Sequence, residues 1–371
     1  QPHLPSHRPP IDKLDQGQNT SRAAVIHAHT LEMLEELGVS SELAKRGMKL
    51  ANFVIRDRNR ALVHLRFDQL PSAYRYLLML PQNETEKVLA ERLAALGGSI
   101  RRGITATAVS QHADGAQVTL KTPKGDTLVN ARYVVGGDGM HSIVRTAVGI
   151  EFEGGTYEES FVLADVRMQW SLGTSEVSLF FSPAGVVVVA PLPDGAYRIV
   201  ATLDNAPEQP GIADIQALLD ARGPTTGLNR VEEVVWSSRF RVHHRIARSY
   251  RKGPFLLMGD AAHVHSPAGG QGMNTGIVDA VVLGRLLADV IHGKQPVAVL
   301  DSYGQVRRPA AEKVLGLAGL LTSMATVRSA PKRTLRNAVL SLINRLPPAR
   351  RRLQMNLSGL ARRHMAAIPG R

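Results

Sequence analysis

The densest run of chemistry-capable residues is Gly259-Asp260-Ala261-Ala262-His263, which continues through Pro267 and Gly269-Gly270-Gln271-Gly272 to Met273-Asn274-Thr275-Gly276. A short apolar stretch, Pro254–Gly259, ends at an acid; a glycine-dense turn follows, and then a long segment with an apolar stripe. Glycines let backbone N–H groups come close to a ligand, and the start of a helix adds partial positive charge. Such a turn suits a phosphate or a delocalised anion. Asp260, at the strand end, is placed to accept hydrogen bonds from ribose-like hydroxyls. The plain alternative is a loop whose glycines only permit tight packing, and the length and order of the run argue against it. A second acid, Asp138, sits in Gly136-Gly137-Asp138-Gly139, flanked by Met140-His141-Ser142 and Arg145. Alone, a Gly-Asp-Gly turn is usually just a turn. Two such turns, each after an apolar strand and about 120 residues apart, carry more information.

The elements that position these residues follow from periodicity and punctuation. Leu31, Leu34 and Leu37 recur at helical spacing over residues 28–37, and Gly38 stops that helix. Asn83 followed by Glu86 forms a capping-box pattern before Leu89, Leu93 and Leu96, and Gly97-Gly98 ends the segment. Gln117–Leu120 and Thr127–Val129, joined through Pro123-Lys124-Gly125-Asp126, predict a hairpin. Ala131–Gly136 reads as a buried parallel strand. Between 160 and 239 strands are expected at Phe161–Arg167, Val177–Phe181, Gly185–Ala190, Tyr197–Leu203 and Val231–Ser237. A long helix from Asn274 to His292 should bury Ile277, Val281, Gly284, Leu287, Ala288 and Ile291. The first twenty residues, rich in Pro and His, read as an irregular leader. This order predicts an α/β nucleotide domain interrupted by a mostly β domain.

Composition narrows the function classes. The 371 residues are enough for two domains or one large one, and the absence of Cys removes disulfide scaffolds, cysteine nucleophiles and thiolate metal sites. No apolar run reaches the ~20 residues a membrane span needs, and the opening residues lack a signal-peptide core, so a cytoplasmic protein is expected. The net charge of +13 is uneven: after Glu312 the chain carries twelve Lys and Arg and no acid. A basic tail can attract polyanions, but this one has no aromatic residues to stack bases, so nucleic acid is not expected. Leu335, Val339, Leu342 and Leu346 instead predict a basic amphipathic helix.

The paired turns resemble those of the class A flavoprotein monooxygenases, the group of para-hydroxybenzoate hydroxylase and of the aromatic-polyketide and rifampicin hydroxylases. Tyr133–Arg145 is similar to that family's Asp-Gly motif, which lies near FAD and takes part in NAD(P)H use; the resemblance assigns Asp138 and Gly139 to it. Leu256–Ala280 is similar to the family's Gly-Asp motif. By that resemblance Asp260 binds the ribose or ribityl region, Pro267 shapes the loop, and Gly270, Gly272, Met273 and Asn274 lie at the flavin. Arg22-Ala23, followed by the helix at Thr30–Leu37, matches an Arg-Ala stretch whose Arg22 would contact FAD. Leu80-Pro81-Gln82 with Glu86 matches a Pro-Gln segment whose Gln82 would face the flavin. Tyr303-Gly304 with Arg307-Arg308-Pro309 is similar to the helix after the second motif. The resemblance spans roughly residues 20–365.

What the resemblance implies is an α/β protein with an FAD-binding, doubly wound, Rossmann-like domain, an inserted mostly β substrate domain and a helical C-terminus. The expected division is 1–50, 81–159 and 240–310 for FAD; 51–80 and 160–239 for substrate; and 311–371 for the basic helical segment. The family opens with a strand, a Gly-x-Gly-x-x-Gly turn and a helix. No such opening occurs in this sequence, so the nucleotide domain is expected to be N-terminally incomplete, and the chain to be poorly soluble or to hold FAD weakly. The implied reaction uses FAD, NAD(P)H and O₂ to hydroxylate an aromatic or polyketide-like small molecule through a flavin C4a-hydroperoxide. No side chain is assigned as catalytic and none as a metal ligand. A substrate pocket is expected between the cofactor loop and one face of the 160–239 sheet, with Val187, Val189 and Leu203 as candidates. The alternative is a degenerate homologue that binds ligand but not FAD. Other classes fit less well. His263 and His265 near His243-His244 lack an acid to complete a metal site, no Gly-x-Ser-x-Gly elbow occurs, and a flavin halogenase's Trp-x-Trp-x-Ile-Pro segment is missing. Substrate identity, the choice of NADH or NADPH, hydroxylation or Baeyer–Villiger insertion, FAD retention without the Gly-x-Gly-x-x-Gly unit, and oligomeric state stay open.

Overall fold

The computed structural model describes residues 9–17, 23–203, 205–267, 269–325, 327 and 329–367, apart from the side chains of 157–159 and 325. β1 (Val25–Ile26) leads into α1 (Ala28–Glu35), which buries Leu31 and Leu34, stops before Gly38 and leaves Leu37 exposed. α2 (Ser40–Arg46), β2 (Met48–Leu50), β3 (Asn52–Asp57), β4 (Arg60–Arg66) and β5 (Leu77–Met79) follow. α3 (Gln82–Ala95) begins one residue before the expected cap, behind Pro81. Asn83 is therefore inside the helix, and Glu86 accepts from the Gln82 amide at 2.8 Å instead of closing a capping box. Thr85 and Val88 form its buried face, with Leu96 exposed.

β6 (Thr105–His112), β7 (Gly115–Thr122) and β8 (Gly125–Ala131) make an antiparallel meander, one strand more than the expected hairpin. β9 (Val134–Gly136) and α4 (Ile143–Ala147) carry the Asp138 turn between them. Then come β10 (Phe152–Trp170), β11 (Glu176–Ser182), β12 (Gly185–Pro191), β13 (Tyr197–Thr202), α5 (Ile212–Arg222) and β14 (Asn229–Ala247). The strand-by-strand reading of 160–239 missed α5. Gly211 and Gly223 bound it, the Asp214 carboxylate accepts from the Gly211 N–H at 2.8 Å, and Ile215, Leu218 and Leu219 are buried at helical spacing. β15 (Arg251–Lys252), β16 (Phe255–Leu257) and β17 (His263–Val264) precede α6 (Gly272–Ile291), α7 (Asp301–Ala325), α8 (Ala330–Arg345) and α9 (Pro347–Leu357).

The fold is mixed α/β with a helical C-terminal part. Its largest sheet runs β17-β14-β10-β13-β12-β11-β3-β4, with β3 parallel to β11. α5 covers one face, where Val162, Ala164, Val187, Val189 and Ile199 pack with Ile215, Leu218 and Leu219. Because strand side chains alternate, Leu163, Asp165, Val188, Arg198 and Val200 share the other face. Val187 and Val189, expected to be pocket candidates, therefore point into the core under α5, and Leu203 packs against that core too.

A smaller sheet, β15-β16-β9, pairs β16 and β9 in parallel. α6 packs through Val278, Val281, Val282 and Leu286. Gly284 and Ala288, expected on the buried side, are exposed, and Asn274, Asp279 and Asp289 are buried in their place. α8 likewise turns Leu335, Val339 and Leu342 outward and buries Leu340 and Arg336, with the Arg336 guanidinium 4.8 Å from the centre of the Phe181 ring. Among the described residues no helix is long and apolar enough to cross a membrane.

Candidate functional site

The two glycine turns leave neighbouring strands on the same side. β9 and β16 run in parallel with Gly136 opposite Leu257, so the Asp138 and Asp260 turns both emerge at carboxyl ends. In open α/β sheets such a crevice is where ligands bind. Arg145, on α4, joins the turns: it donates to the Ala261 carbonyl at 2.8 Å and to the Met140 carbonyl at 2.7 Å. Its guanidinium lies over the Phe152 ring at 3.8 Å, which holds it in place.

The Asp260 turn is fixed from below by Asp279, which is fully buried on α6. Its carboxylate accepts from the Gly259 N–H at 3.2 Å, His263 Nε2 at 2.6 Å and Arg307 Nε at 2.7 Å. Burial opposes the charge on Asp279, but Arg307 and His263 outweigh it and hold the carboxyl below its usual range. Helix and turn touch closely, since a Cβ added at Gly276 would lie 3.3 Å from the Gly259 Cα. Asp260 itself is exposed at the lip.

The loop before α6 is equally constrained. Gly270 takes a φ of +60°, and a Cβ there would meet Val25 Cγ1 at 2.2 Å, so a side chain is excluded both by conformation and by contact. The Asn274 amide bridges loop and strand. It accepts from the His27 N–H at 2.8 Å and donates to the carbonyls of Val25 at 2.9 Å and Gly270 at 2.8 Å. Gln271, the N-cap of α6, offers no side-chain cap to the helix. The first amides of α6, from Gly272 and Met273, thus begin a 20-residue helix beside a glycine loop, an arrangement that favours an electron-rich ligand group.

Of the other expected site residues, Arg22 lies outside the described residues. Gln82 accepts from the Ala23 N–H at 3.3 Å, so the Pro-Gln segment anchors the Arg-Ala stretch, which reaches the loop through Val25 and Asn274. Asp138 accepts from the Ile143 and Val144 N–H groups at 2.8 and 3.3 Å and so caps α4, while Gly139 takes a φ of +79°. Pro267 is half-buried on the loop. Asn274 is placed among protein partners, more a brace than an open ligand. His263, weighed above as a metal ligand, is engaged by Asp279, and His265 hydrogen-bonds the Ser266 carbonyl at 2.9 Å.

Sequence reasoning did not single out Asp279, Gln271, Arg362 or His27. An acid within an otherwise apolar helix was the available signal for Asp279; the others have no local one. Burial lowers the pKa of both His27 and His265 to about 4, so these imidazoles are neutral at pH 7.

A family model described as "FAD binding domain" matches residues 10–318. The chain belongs to this FAD-binding family. A 6-methylpretetramide 4-monooxygenase of Streptomyces rimosus is 35% identical over 363 residues, covering 95% of this chain and 64% of that protein. The pentachlorophenol 4-monooxygenase of Sphingobium chlorophenolicum is 33% identical, covering 82% and 58%. Among solved structures, p-nitrophenol 4-monooxygenase from Pseudomonas putida superposes with a TM-score of 0.85 at 25% identity, covering 94% of this chain and 91% of that one. The anhydrotetracycline hydroxylase of Streptomyces rimosus gives 0.79 at 32% identity, covering 94% and 70%. The chain spans about three-fifths of the length of the curated relatives it matches. These matches bear out the resemblance to the class A flavoprotein monooxygenases and the mixed α/β fold.

Proposed function

We propose that this FAD-family chain is the cofactor-binding and substrate-oxygenating part of a monooxygenase that takes electrons from NAD(P)H. One atom of O₂ would enter an aromatic or polyketide-like small molecule. The observation that carries this reading is the pair of glycine turns at the carboxyl ends of β9 and β16, beside the uncapped start of α6. When bound, FAD supplies the redox and oxygen chemistry, and the protein supplies placement and electrostatics. Asp260 would accept hydrogen bonds from cofactor hydroxyls. The Gly272 and Met273 amides and the positive end of α6 would stabilise negative charge gathered on the cofactor during reduction.

On β14, Arg241, His243 and Arg245 alternate as a strip with two guanidiniums; burial first, then the charges of Arg245 and of His141 from the Asp138 turn, lower the His243 pKa. That strip suits the phosphates of NAD(P)H. For the substrate we assign the sheet face opposite α5, where Arg198 and Asp165 form a bidentate pair at 2.8 and 2.7 Å beside half-buried Val200, at the edge of the core in which Val188 packs. An apolar surface with one fixed polar pair orients a flat aromatic ligand bearing oxygens.

The test is a titration of FAD into the chain followed by NAD(P)H oxidation with phenols and polycyclic aromatic ketones under ¹⁸O₂. Saturable flavin binding and one labelled oxygen in the product are expected. Failure to bind FAD, or oxidation of NAD(P)H with no label in any product, would overturn the reading.

A further inference from the structure

The loop that presents the α6 amides is held from the far end of the chain. Gln271 is 1% exposed, and every polar atom of its side chain is engaged. Its amide nitrogen donates to the carbonyls of Gly269 at 3.1 Å and Leu357 at 3.0 Å. Its amide oxygen accepts from Arg362 Nη2 at 2.7 Å. Arg362 is 6% exposed and also donates to the Asn356 carbonyl at 3.1 Å. Burial and the neighbouring Arg307 lower its pKa to about 10, so it stays charged at neutral pH, and a charged donor makes the bond to Gln271 a strong one.

The same C-terminal stretch is tied down at three further points. The His29 N–H donates to the Ser358 carbonyl at 3.2 Å, Arg307 donates to the Met365 carbonyl at 3.0 Å, and Arg363 pairs with Glu32. Arg307 is the group that also holds Asp279, so the stretch meets the buried network under both ends of the cofactor loop. Behind the loop lies a cavity of about 20 Å³, bordered by His27, Asn274, Arg307 and Arg362, with room for about one water. The His27 ring also reaches the site, with Nε2 3.3 Å from the Gln271 amide nitrogen and 3.0 Å from the Gly269 carbonyl. Residues 356–366 also lie beyond residue 318, where the family match stops.

We propose that residues 356–366 are a clamp that sets the conformation of the cofactor loop, with Arg362 a positioning residue acting through Gln271. The clamp fixes Gly269 and Gly270 in their left-handed turns and so fixes where the Gly272 and Met273 amides point. Its effect on flavin rests on the FAD reading above; its effect on the loop does not.

The experiment therefore has two readouts. The first is amide hydrogen exchange of residues 265–276 in the FAD-free 371-residue chain, wild type against Arg362→Met, Arg362→Lys and Gln271→Glu. Loss of one charge-assisted bond predicts roughly tenfold to a hundredfold faster loop exchange in Arg362→Met, with β6–β8 exchange and Tm near wild type. Arg362→Lys should recover part of the protection, and Gln271→Glu, which keeps the acceptor but loses both donors, should fall between. The second readout is FAD affinity and the midpoint potential of bound flavin. Arg362→Met should bind FAD about tenfold or more weakly and shift the potential negative, because misaligned amides stabilise the reduced form less. Wild-type loop exchange in folded Arg362→Met and Gln271→Glu proteins would overturn the clamp. Faster exchange in a chain that never binds FAD would sustain the clamp and overturn the cofactor reading instead. Should Arg362→Met not fold, the Lys and Glu variants decide on the same criterion.

Discussion

The Asp138 and Asp260 turns look alike in sequence and are built on opposite plans. The Asp138 turn is local: its carboxylate caps the helix that begins five residues later, and it sits in solvent. The Asp260 turn is held by residues from across the chain. Asp279 and Arg307 brace it from below, His27 and Val25 meet its loop through Asn274, and Leu357 and Arg362 close on Gln271. A locally built turn tolerates change and can move. One built from distant parts is only as sound as the whole fold, and it offers a ligand a preset surface.

The sharpest way to break that contrast is to remove the buried acid. Asp279→Ala leaves Arg307 and the His263 ring without their shared partner in the interior, and such losses destabilise by about 3–5 kcal/mol. Urea unfolding should show that loss; a change below about 1 kcal/mol would mean the network is not what holds the turn. Acid should act in the same direction. His27 and His265 titrate at about 4 in the folded chain against 6.5 when exposed, so the unfolded chain takes up their protons first. Their contribution is complete above pH 6.5 and is lost as pH falls towards 4, by up to about 1.4 kcal/mol per unit for each ring. Asp279, held below 3.8, adds to the loss only in stronger acid. Urea midpoints should therefore fall steadily from about pH 6.5 to pH 4.5, and less steeply in His27→Gln.

Function sharpens the comparison further. Asp260→Ala should weaken FAD binding by about tenfold to a hundredfold, the worth of charge-assisted bonds to ligand hydroxyls, as read by flavin fluorescence titration. Unchanged affinity would remove Asp260 from the cofactor site. Asp138→Asn should be the mildest change. The amide oxygen still accepts from Ile143 and Val144, so stability should drop by less than about 1 kcal/mol; a larger loss would make the Asp138 turn as globally braced as its counterpart.

What the sequence made legible follows the same division. The strand–acid–glycine–helix run at 255–291 is continuous in sequence, so motif and element could be read together, and the pairing with 133–145 led to the FAD family. The faces of α6 were misread because Asn274, Asp279 and Asp289 are buried polar residues with partners in other segments, which apolar periodicity cannot anticipate. α5 was missed because its window is short and lies among strands. That Val187 and Val189 point into a core depends on which sheet face α5 covers, a long-range fact. Arg362 and Gln271 are 91 residues apart with no pattern linking them.

The β10–β14 ladder has a consequence for how this chain can change length. Each strand is 19 residues, about 60 Å if fully extended, and they pair from Phe152–Ala247 beside the glycine turns to Trp170–Asn229 near α5. Slipping the pairing by one residue would send Asp165 into the core under α5 and carry Ala164 to the opposite face. The ladder already shifts register between Thr156 and Ser160, Asp165 and Val166, and Arg167 and Met168. Insertions and deletions should be tolerated there and rejected between Phe161 and Asp165, so these two strands act as a ruler whose graduations are the bulges.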